Sequence, residues 1–316
     1  MYHFCTYFDK NYLLRGITLY RSLLKHCEIP FRFYALCLDQ ETFDILGSLG
    51  DESIIPVKLE DIESWDKELL VAKQNRSLIE YYFTLSPVFP LYVLEHFDVD
   101  IVTYLDADLM FFSSPKAIYE ELGDASIFIT EHGFPEDLKH LEIHGVFNVQ
   151  CQVFRADRTG IECLERWKKQ CLEWCFDRLE KGKYADQKYI DEWPGLYGNN
   201  LVISKNKGVG VAPWNIKNKK MVIQGSQYYI DDEPLVFYHF HGFKEFSLGL
   251  IKTGLGDYKM KCNSSLRKLY ENYSKALYKE RMRVNIFDSK DIRYSRSLLK
   301  QLYIFMRQRD ILWIKK

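Results

Sequence analysis

Two carboxylates one residue apart, Asp106 and Asp108, interrupt the apolar run IVTYLDADLMFF at residues 101–112. An unpaired carboxylate in a low-dielectric interior is costly, so the pair must either reach water or face a positive charge. In extended backbone, residues two apart project to the same side. Both carboxylates can then converge on one hard divalent cation, Mg²⁺ or Mn²⁺, that also takes phosphate oxygens and water. A cation held this way neutralises a departing diphosphate. The triplet alone equally marks solvated surface carboxylates, so a second element is needed. VFYHFHGFK, at 236–244, supplies one. Its His239 and His241 alternate onto one side of a strand, Gly242 permits close backbone approach, and Lys244 offers charge to a phosphate. Two surface histidines on an edge strand are the plainer account of the same residues.

These side chains need elements to hold them. Apolar periodicity over residues 1–60 reads as strand (2–7), helix (11–26), strand (31–38), helix (40–47) and strand (53–59). That alternation favours a parallel sheet covered by helices. An amphipathic helical region at 77–96 is expected to break around Pro87 and Pro90. Further strands are expected at 101–112, 125–130, 145–155, 201–204 and 236–240, and a helix at 159–181. In an open α/β sheet ligands gather at the carboxyl ends of the strands, where Asp106 and Asp108 emerge. The expected fold is α/β, a mixed, mainly parallel, Rossmann-like sheet flanked by helices. It occupies 1–245 as a catalytic-size domain, and 246–316 form a helical C-terminal extension.

Composition narrows the partners. The 316 residues are 47% hydrophobic and 28% charged, enough for one large α/β domain plus an appendage. A net charge of −1 argues against a nucleic-acid partner. The balance is uneven, because 292–316 carry seven basic residues and one acidic, which leaves the remainder at −7. On a helical wheel Leu298, Leu302, Phe305 and Leu312 share one face. A basic amphipathic helix of this kind can lie on an anionic membrane, or pack onto the catalytic domain or a sister subunit. Eight cysteines without a CxxC pair read as reduced core residues of a cytosolic protein. The N-terminus lacks a basic segment followed by an apolar one, and no apolar stretch approaches ~18 residues. A cytoplasmic location is expected, with peripheral contact at the inner face of the plasma membrane through 292–316.

In this order the motifs resemble those of GT-A glycosyltransferases that use nucleotide-diphosphate sugars, in particular the family-8 type and related bacterial nucleotide-diphospho-sugar transferases. FCTYFDKNYLLRGITLYRSLLKH resembles the opening strand and helix, whose first loop receives the nucleobase and ribose. IVTYLDADLMFFSSP looks like the metal-binding DxD segment. GVFNVQCQVFR is similar to the G-x-[FY]-N-x-G strand and YADQKYIDEWP to the D-Q segment. VAPWNI and YHFHGFK complete a series that spans residues 2–245. The resemblance implies a GT-A fold and a Mn²⁺- or Mg²⁺-dependent transfer of sugar from a nucleotide-diphosphate donor, a UDP-sugar, to a glycan or lipid-linked acceptor. It implies retention of anomeric configuration and a place in bacterial surface polysaccharide or lipopolysaccharide synthesis.

Carried over residue by residue, the resemblance places Asp106 and Asp108 on the metal, with Asp106 also near the ribose. His239, three residues before Gly242, matches the metal-binding histidine, and His241 is its rival. Lys244 lies two residues after that glycine, where the family often has its diphosphate lysine three after. Thr6, Tyr7 and Asp9 match the nucleotide-binding loop, and Arg76 lies where the family often sets a basic residue over the phosphates. Asn148 belongs to the sugar-binding strand. Gln150-Cys151 stands where glycine is common, which would narrow the sugar pocket. Asp186 and Gln187 reach the sugar's other side and orient it if the reaction retains configuration. If it inverts, Asp186 is the first candidate for general base, then Asp191 or Glu192. His132 and His144 bracket an acceptor-side loop, and Trp214 packs against donor or acceptor. Plainer roles compete: Asp9 and Asp186 suit helix N-caps, and Arg76 a solvated helix charge.

Other functions share some of these features. A sugar-nucleotide pyrophosphorylase needs a glycine-rich phosphate loop after its first strand, where this chain reads CTYFDKNY. An aspartyl-nucleophile phosphatase also uses D-x-D, but Leu109 and the histidine strand suit it poorly. A non-catalytic carbohydrate- or nucleotide-binding protein is the remaining alternative.

Overall fold

The computed structural model describes residues 1–246, 249–284 and 311–314. The chain opens by alternating β1 (Tyr2–Phe8), α1 (Leu13–His26), β2 (Phe31–Cys37), α2 (Gln40–Ser48) and β3 (Ile54–Lys58), and the three strands run parallel. Successive side chains of β1 point to opposite faces, as strand geometry requires. Phe4 joins Leu13, Ile17 and Tyr20 of α1 in one core, whereas Cys5 joins a second core on the other side.

Next come α3 (Leu59–Trp65), α4 (Glu68–Asn75) and α5 (Leu78–His96). α5 is unbroken although Pro87 and Pro90 lie inside it, against the expected interruption. Each interior proline removes a helical hydrogen bond and costs about 3 kcal/mol. A capping box between Ser77 and Glu80 and the burial of Leu85, Val88, Phe89, Leu91 and Val93 offset that loss.

There follow β4 (Ile101–Leu105), β5 (Leu109–Phe111), α6 (Lys116–Leu122), β6 (Ile127–Glu131), β7 (Phe147–Arg155), α7 (Arg158–Glu173), α8 (Trp193–Tyr197) and β8 (Leu201–Ile203). The main sheet has seven strands in the order β3-β2-β1-β4-β7-β6-β8. β4 is parallel to β1, β7 runs antiparallel between β4 and β6, and β8 is parallel to β6. The chain therefore moves outward from β1 to β3 and jumps back to β4. That reversal leaves a crevice between the carboxyl ends of β1 and β4, the place where such sheets bind ligands.

The stretch expected as one strand over 101–112 is two. After β4 the backbone turns, with Leu109 N–H donating to Asp106 C=O at 3.2 Å, and leaves as β5 in a different sheet. Asp106 and Asp108 thus converge through a turn and not through extended backbone. The expected helix at 159–181 also ends early: α7 stops before Trp174, whose backbone is extended.

β9 (Met221–Gln224), β10 (Gln227–Ile230) and β11 (Glu233–Pro234) form a small antiparallel sheet, and β12 (Phe237–His239) pairs antiparallel with β5. Beyond it the extension expected to be helical also holds strands. β13 (Lys244–Glu245), β14 (Leu250–Lys252) and β15 (Ile311–Trp313) make an antiparallel sheet beside α9 (Ser264–Arg283). Leu312 and Trp313 therefore lie on a strand rather than on the expected amphipathic helix. Leu312 and Ile314 are buried in a third core with Leu266 and Leu269 of α9. The rest of that helix, 292–310 and 315–316, falls outside the described residues. No disulfide joins the eight cysteines, six of which are buried. Among the described residues no helix is long and apolar enough to cross a membrane.

One buried ion pair ties α9 to β13. Glu245 accepts from Ser274 Oγ and from Arg281 Nη2, each at 2.8 Å, and both charged side chains are only 5% exposed. Removing one partner strands a buried charge, so Arg281→Met should lower the free energy of unfolding by about 3–5 kcal/mol. The double variant Glu245→Leu/Arg281→Met should regain most of it. Urea denaturation measures both, and a loss below about 1 kcal/mol in the single variant would place the pair in the weak, solvated class.

Candidate active site

The ends of β1, β4, β7 and β12 meet at a cleft of about 840 Å³. Asp106 and Asp108 occupy the turn after β4, and β12 is held against β5 so that His239 lies opposite Leu109. Phe240 N–H donates to Asp108 C=O at 3.0 Å, which locks the histidine strand onto the carboxylate turn. His239 Nε2 lies 2.9 Å from Asp108 Oδ1 and 3.9 Å from Asp106 Oδ2. One ligand atom from each of the three residues falls within 4.8 Å of the others. Asp108 and His239 are buried, and Asp106 is the partly exposed member that opens to the cleft.

The electrostatics follow from burial and this proximity. Burial pushes the Asp106 carboxyl up to about 6, opposed by His239 and reinforced by the neighbouring Asp108. Burial also works against a charge on Asp108. The imidazole beside it wins, with smaller help from Arg15 and His241, and holds that carboxyl well below the usual range. For His239 burial alone would lower the pKa, but the charge and hydrogen bond of Asp108 raise it above the ordinary value. Asp106 also accepts from Tyr104 O–H at 3.0 Å.

His241 does not join the cluster. β12 ends at His239, and the chain turns at His241-Gly242, where Gly242 has a φ of 72°. His241 is left exposed on the cleft rim, its ring edge-on to that of His239 at 5.7 Å. The expected alternation of both histidines on one strand face fails because the strand is shorter than the motif.

A second carboxyl faces the cleft. Asp186 sits at the N-cap position of a short 3₁₀ turn, but its side chain makes no capping bond. Instead Ser86 Oγ, from the middle of α5, donates to Asp186 Oδ2 at 2.6 Å, and Tyr7 Oη lies 3.0 Å from Ser86 Oγ. Burial raises the Asp186 carboxyl to about 7, against the Ser86 hydrogen bond that lowers it and with Asp106 adding to the rise. Gln187 Nε2 donates to His144 C=O at 3.0 Å, fixing the loop that carries His144. Behind them His132 is buried, and burial drives its imidazole down to about 3, so the ring is neutral. Its Nε2 accepts from Asn148 Nδ2 at 2.8 Å, while Asn148 Oδ1 accepts from Gln150 N–H. Trp214 presents its edge to His132, His239 and His241 at 5.1–5.5 Å.

No protein-family model matches the chain. The uncharacterized protein YfnD of Bacillus subtilis (strain 168) is 34% identical over 256 residues, which cover 78% of this chain and 81% of YfnD. The uncharacterized protein YfnF of the same organism is 30% identical over 258 residues, 79% of this chain and 84% of YfnF. The chain belongs to the YfnD/YfnF family. Among solved structures, the galactosyltransferase LgtC in complex with donor and acceptor sugar analogues matches with a TM-score of 0.51 at 15% identity. That match covers 76% of this chain and 87% of LgtC. The fold of this YfnD/YfnF-family chain is thus the GT-A glycosyltransferase fold that the motif series implied.

Within this family member the expected residues sort by position. Tyr7, Asp9, Asp106, Asp108, His132, His144, Asn148, Asp186, Gln187, Trp214, His239 and His241 line the one cleft. Asp9 uses its carboxylate to close its own loop, accepting from Asn11 and Tyr12. Thr6, Arg76 and Lys244 do not line it. Thr6 lies within β1 and is wholly buried. Arg76 donates to Cys171 C=O at 2.6 Å and to Leu172 C=O, so it satisfies carbonyls at the end of α7 rather than a phosphate. Lys244 is on β13, opposite Lys252. Asp191 and Glu192, the reserve bases, are also placed elsewhere. Asp191 accepts from Val146 N–H and pairs with Lys188, and Glu192 pairs with Arg166.

Gln150 does not narrow the pocket, because its side chain turns toward His239 and away from the cleft lining. Ser86 and Tyr104 went unread in the sequence, as did the contact of Gln150 with His239. Only Tyr104 left a local signal, since it stands two residues before Asp106 on the same face of an apolar strand.

Proposed function

We infer that the protein is a glycosyltransferase that moves a sugar from a nucleotide-diphosphate donor, a UDP-sugar, to a glycan or lipid-linked acceptor. Support comes from one arrangement: Asp106, Asp108 and His239 gathered at the switch point of a GT-A sheet, with the buried carboxyl of Asp186 lining the same cleft. The donor set suits a divalent cation, Mn²⁺ or Mg²⁺, since two carboxylates and an imidazole leave positions for phosphate oxygens and water. Such a cation supplies charge neutralisation to a leaving diphosphate.

The chain's own groups do the remainder. Tyr7 and Asp9, where β1 ends, take the nucleoside, and Asn148 faces the donor sugar. Asp186 and Gln187 hold the sugar, with the Asp186 carboxyl set by Ser86 so that it can favour positive charge developing at the anomeric carbon. His132, His144 and Trp214 form the acceptor side. We read the transfer as retaining, a reading helped by the engagement of Asp191 and Glu192 in backbone and ion-pair contacts. The same reading sets the work in bacterial surface polysaccharide or lipopolysaccharide synthesis, in the cytoplasm at the inner face of the plasma membrane.

Calorimetric titration of UDP into the protein should give measurable heat with Mn²⁺ present and little without it. Hydrolysis of a panel of nucleotide sugars with Mn²⁺ would then name the donor. If no nucleoside diphosphate binds in the presence of Mn²⁺, the reading is wrong.

A further inference from the structure

We propose that Gln150 is the positioning residue that sets the tautomer and aim of His239 toward a divalent cation. Gln150 lies on β7, wholly buried, on the strand that pairs with β4. Its Nε2 donates to Thr130 Oγ1 at 3.3 Å, so its Oε1 faces the other way. That oxygen lies 3.0 Å from His239 Nδ1. An amide oxygen can only accept, and the Nδ1 position must therefore carry the proton. Nε2 is the atom 2.9 Å from Asp108 Oδ1, to which it donates a proton in the absence of a cation; once a cation displaced that proton, the ring with its Nδ1–H retained would present the Nε2 lone pair to it. The order of contacts, amide oxygen to Nδ1–H and Nε2 to the carboxylate turn, is that of an oriented metal-ligating imidazole.

Two further contacts mark the place as built for this. Gln150 C=O accepts from Asp106 N–H at 2.9 Å, so segments bearing two of the three ligands hang on one residue of β7. Across the ring of contacts, Gly210 has a φ of 72°, and a Cβ there would sit 3.3 Å from Gln150 Nε2. Glycine at 210 leaves the amide its room. The motif series has glycine commonly at position 150, so this chain gains a side chain there that reaches the histidine.

The inference rests on the reading that Asp106, Asp108 and His239 hold a cation, and the test separates the two. Mn²⁺ binding to the full chain is measured by calorimetry for the native protein, Gln150→Leu, Gln150→Glu and Asp108→Asn, each with a thermal melt. Gln150→Leu removes the acceptor and should weaken Mn²⁺ roughly 10- to 100-fold. Gln150→Glu restores an acceptor for Nδ1–H and should return the affinity to near the native value, a rescue that a packing role would not produce. Equal Mn²⁺ affinity in native protein and Gln150→Leu, or no rescue by Gln150→Glu, would overturn the role of Gln150 while leaving the cation site standing. Native protein that binds Mn²⁺ no better than Asp108→Asn would overturn both.

Discussion

Asp108→Asn should cost at least about a thousandfold in metal-dependent donor hydrolysis, equivalent to about 4 kcal/mol of transition-state stabilisation. The change removes one anionic ligand and the partner of His239 while keeping the side chain's shape. Folding should survive, because the backbone carbonyl of Asp108, which accepts from Phe240 N–H, does not need the carboxylate. The metal-free variant should still melt lower at neutral pH. Asp108 is held below its ordinary pKa when folded, so its contribution to stability is present above the unfolded carboxylate pKa. That contribution fades as pH falls through the folded value. The gap in melting temperature between native and variant protein should therefore close in acid. Donor hydrolysis with graded Mn²⁺, beside melts at several pH values, reads both effects. Retained metal-dependent turnover would refute the assignment of Asp108.

Asp186→Asn should move activity and stability in opposite directions. The amide keeps an oxygen for the Ser86 hydrogen bond but loses the negative charge opposite the donor sugar, so kcat should fall about a hundredfold or more. Stability should rise. The folded carboxyl titrates near 7, above its value in the unfolded chain, because burial disfavours its charge. The native protein accordingly loses stability as pH climbs from about 4 to about 7 and levels off beyond. The variant lacks that slope. Its advantage should be near zero at pH 4 and on the order of 4 kcal/mol at pH 8. Urea denaturation at the two pH values, with kcat measured at the upper one, gives the comparison. A variant that is both active and no more stable at pH 8 would remove Asp186 from the reaction. The expected pattern is that of a group kept in an unfavourable place for function.

Much of this molecule can be read from short-range pattern. Strands and helices over 1–60 follow from residue period, since alternation and 3.6-residue spacing each admit one buried face. The carboxylate pair was legible for a similar reason: two aspartates inside an apolar run need an outlet, and a sheet has one at its strand ends. Pattern failed where a partner lies far along the chain. Arg76 has the right charge for a phosphate, yet its carbonyl acceptors are about 95 residues away, at the end of α7. Pro87 and Pro90 were expected to break a helix whose flanking residues, once buried, keep it continuous. Ser86 stands between apolar residues with nothing local to mark it, and its acceptor is Asp186, 100 positions on.

The sequence by itself determined which residue types could do chemistry: two carboxylates one residue apart in an apolar run, and two histidines two apart before a glycine. It also determined the alternating β/α order that forces a parallel half-sheet. Only the tertiary structure decided which histidine lies beside the two aspartates, because that depends on where β12 ends and Gly242 turns. It alone brought Gln150 under His239 and Ser86 under Asp186. Residue type and spacing encode local conformation and reactivity. The aim of a side chain is set by long-range strand pairing and close packing, and no local period records those contacts.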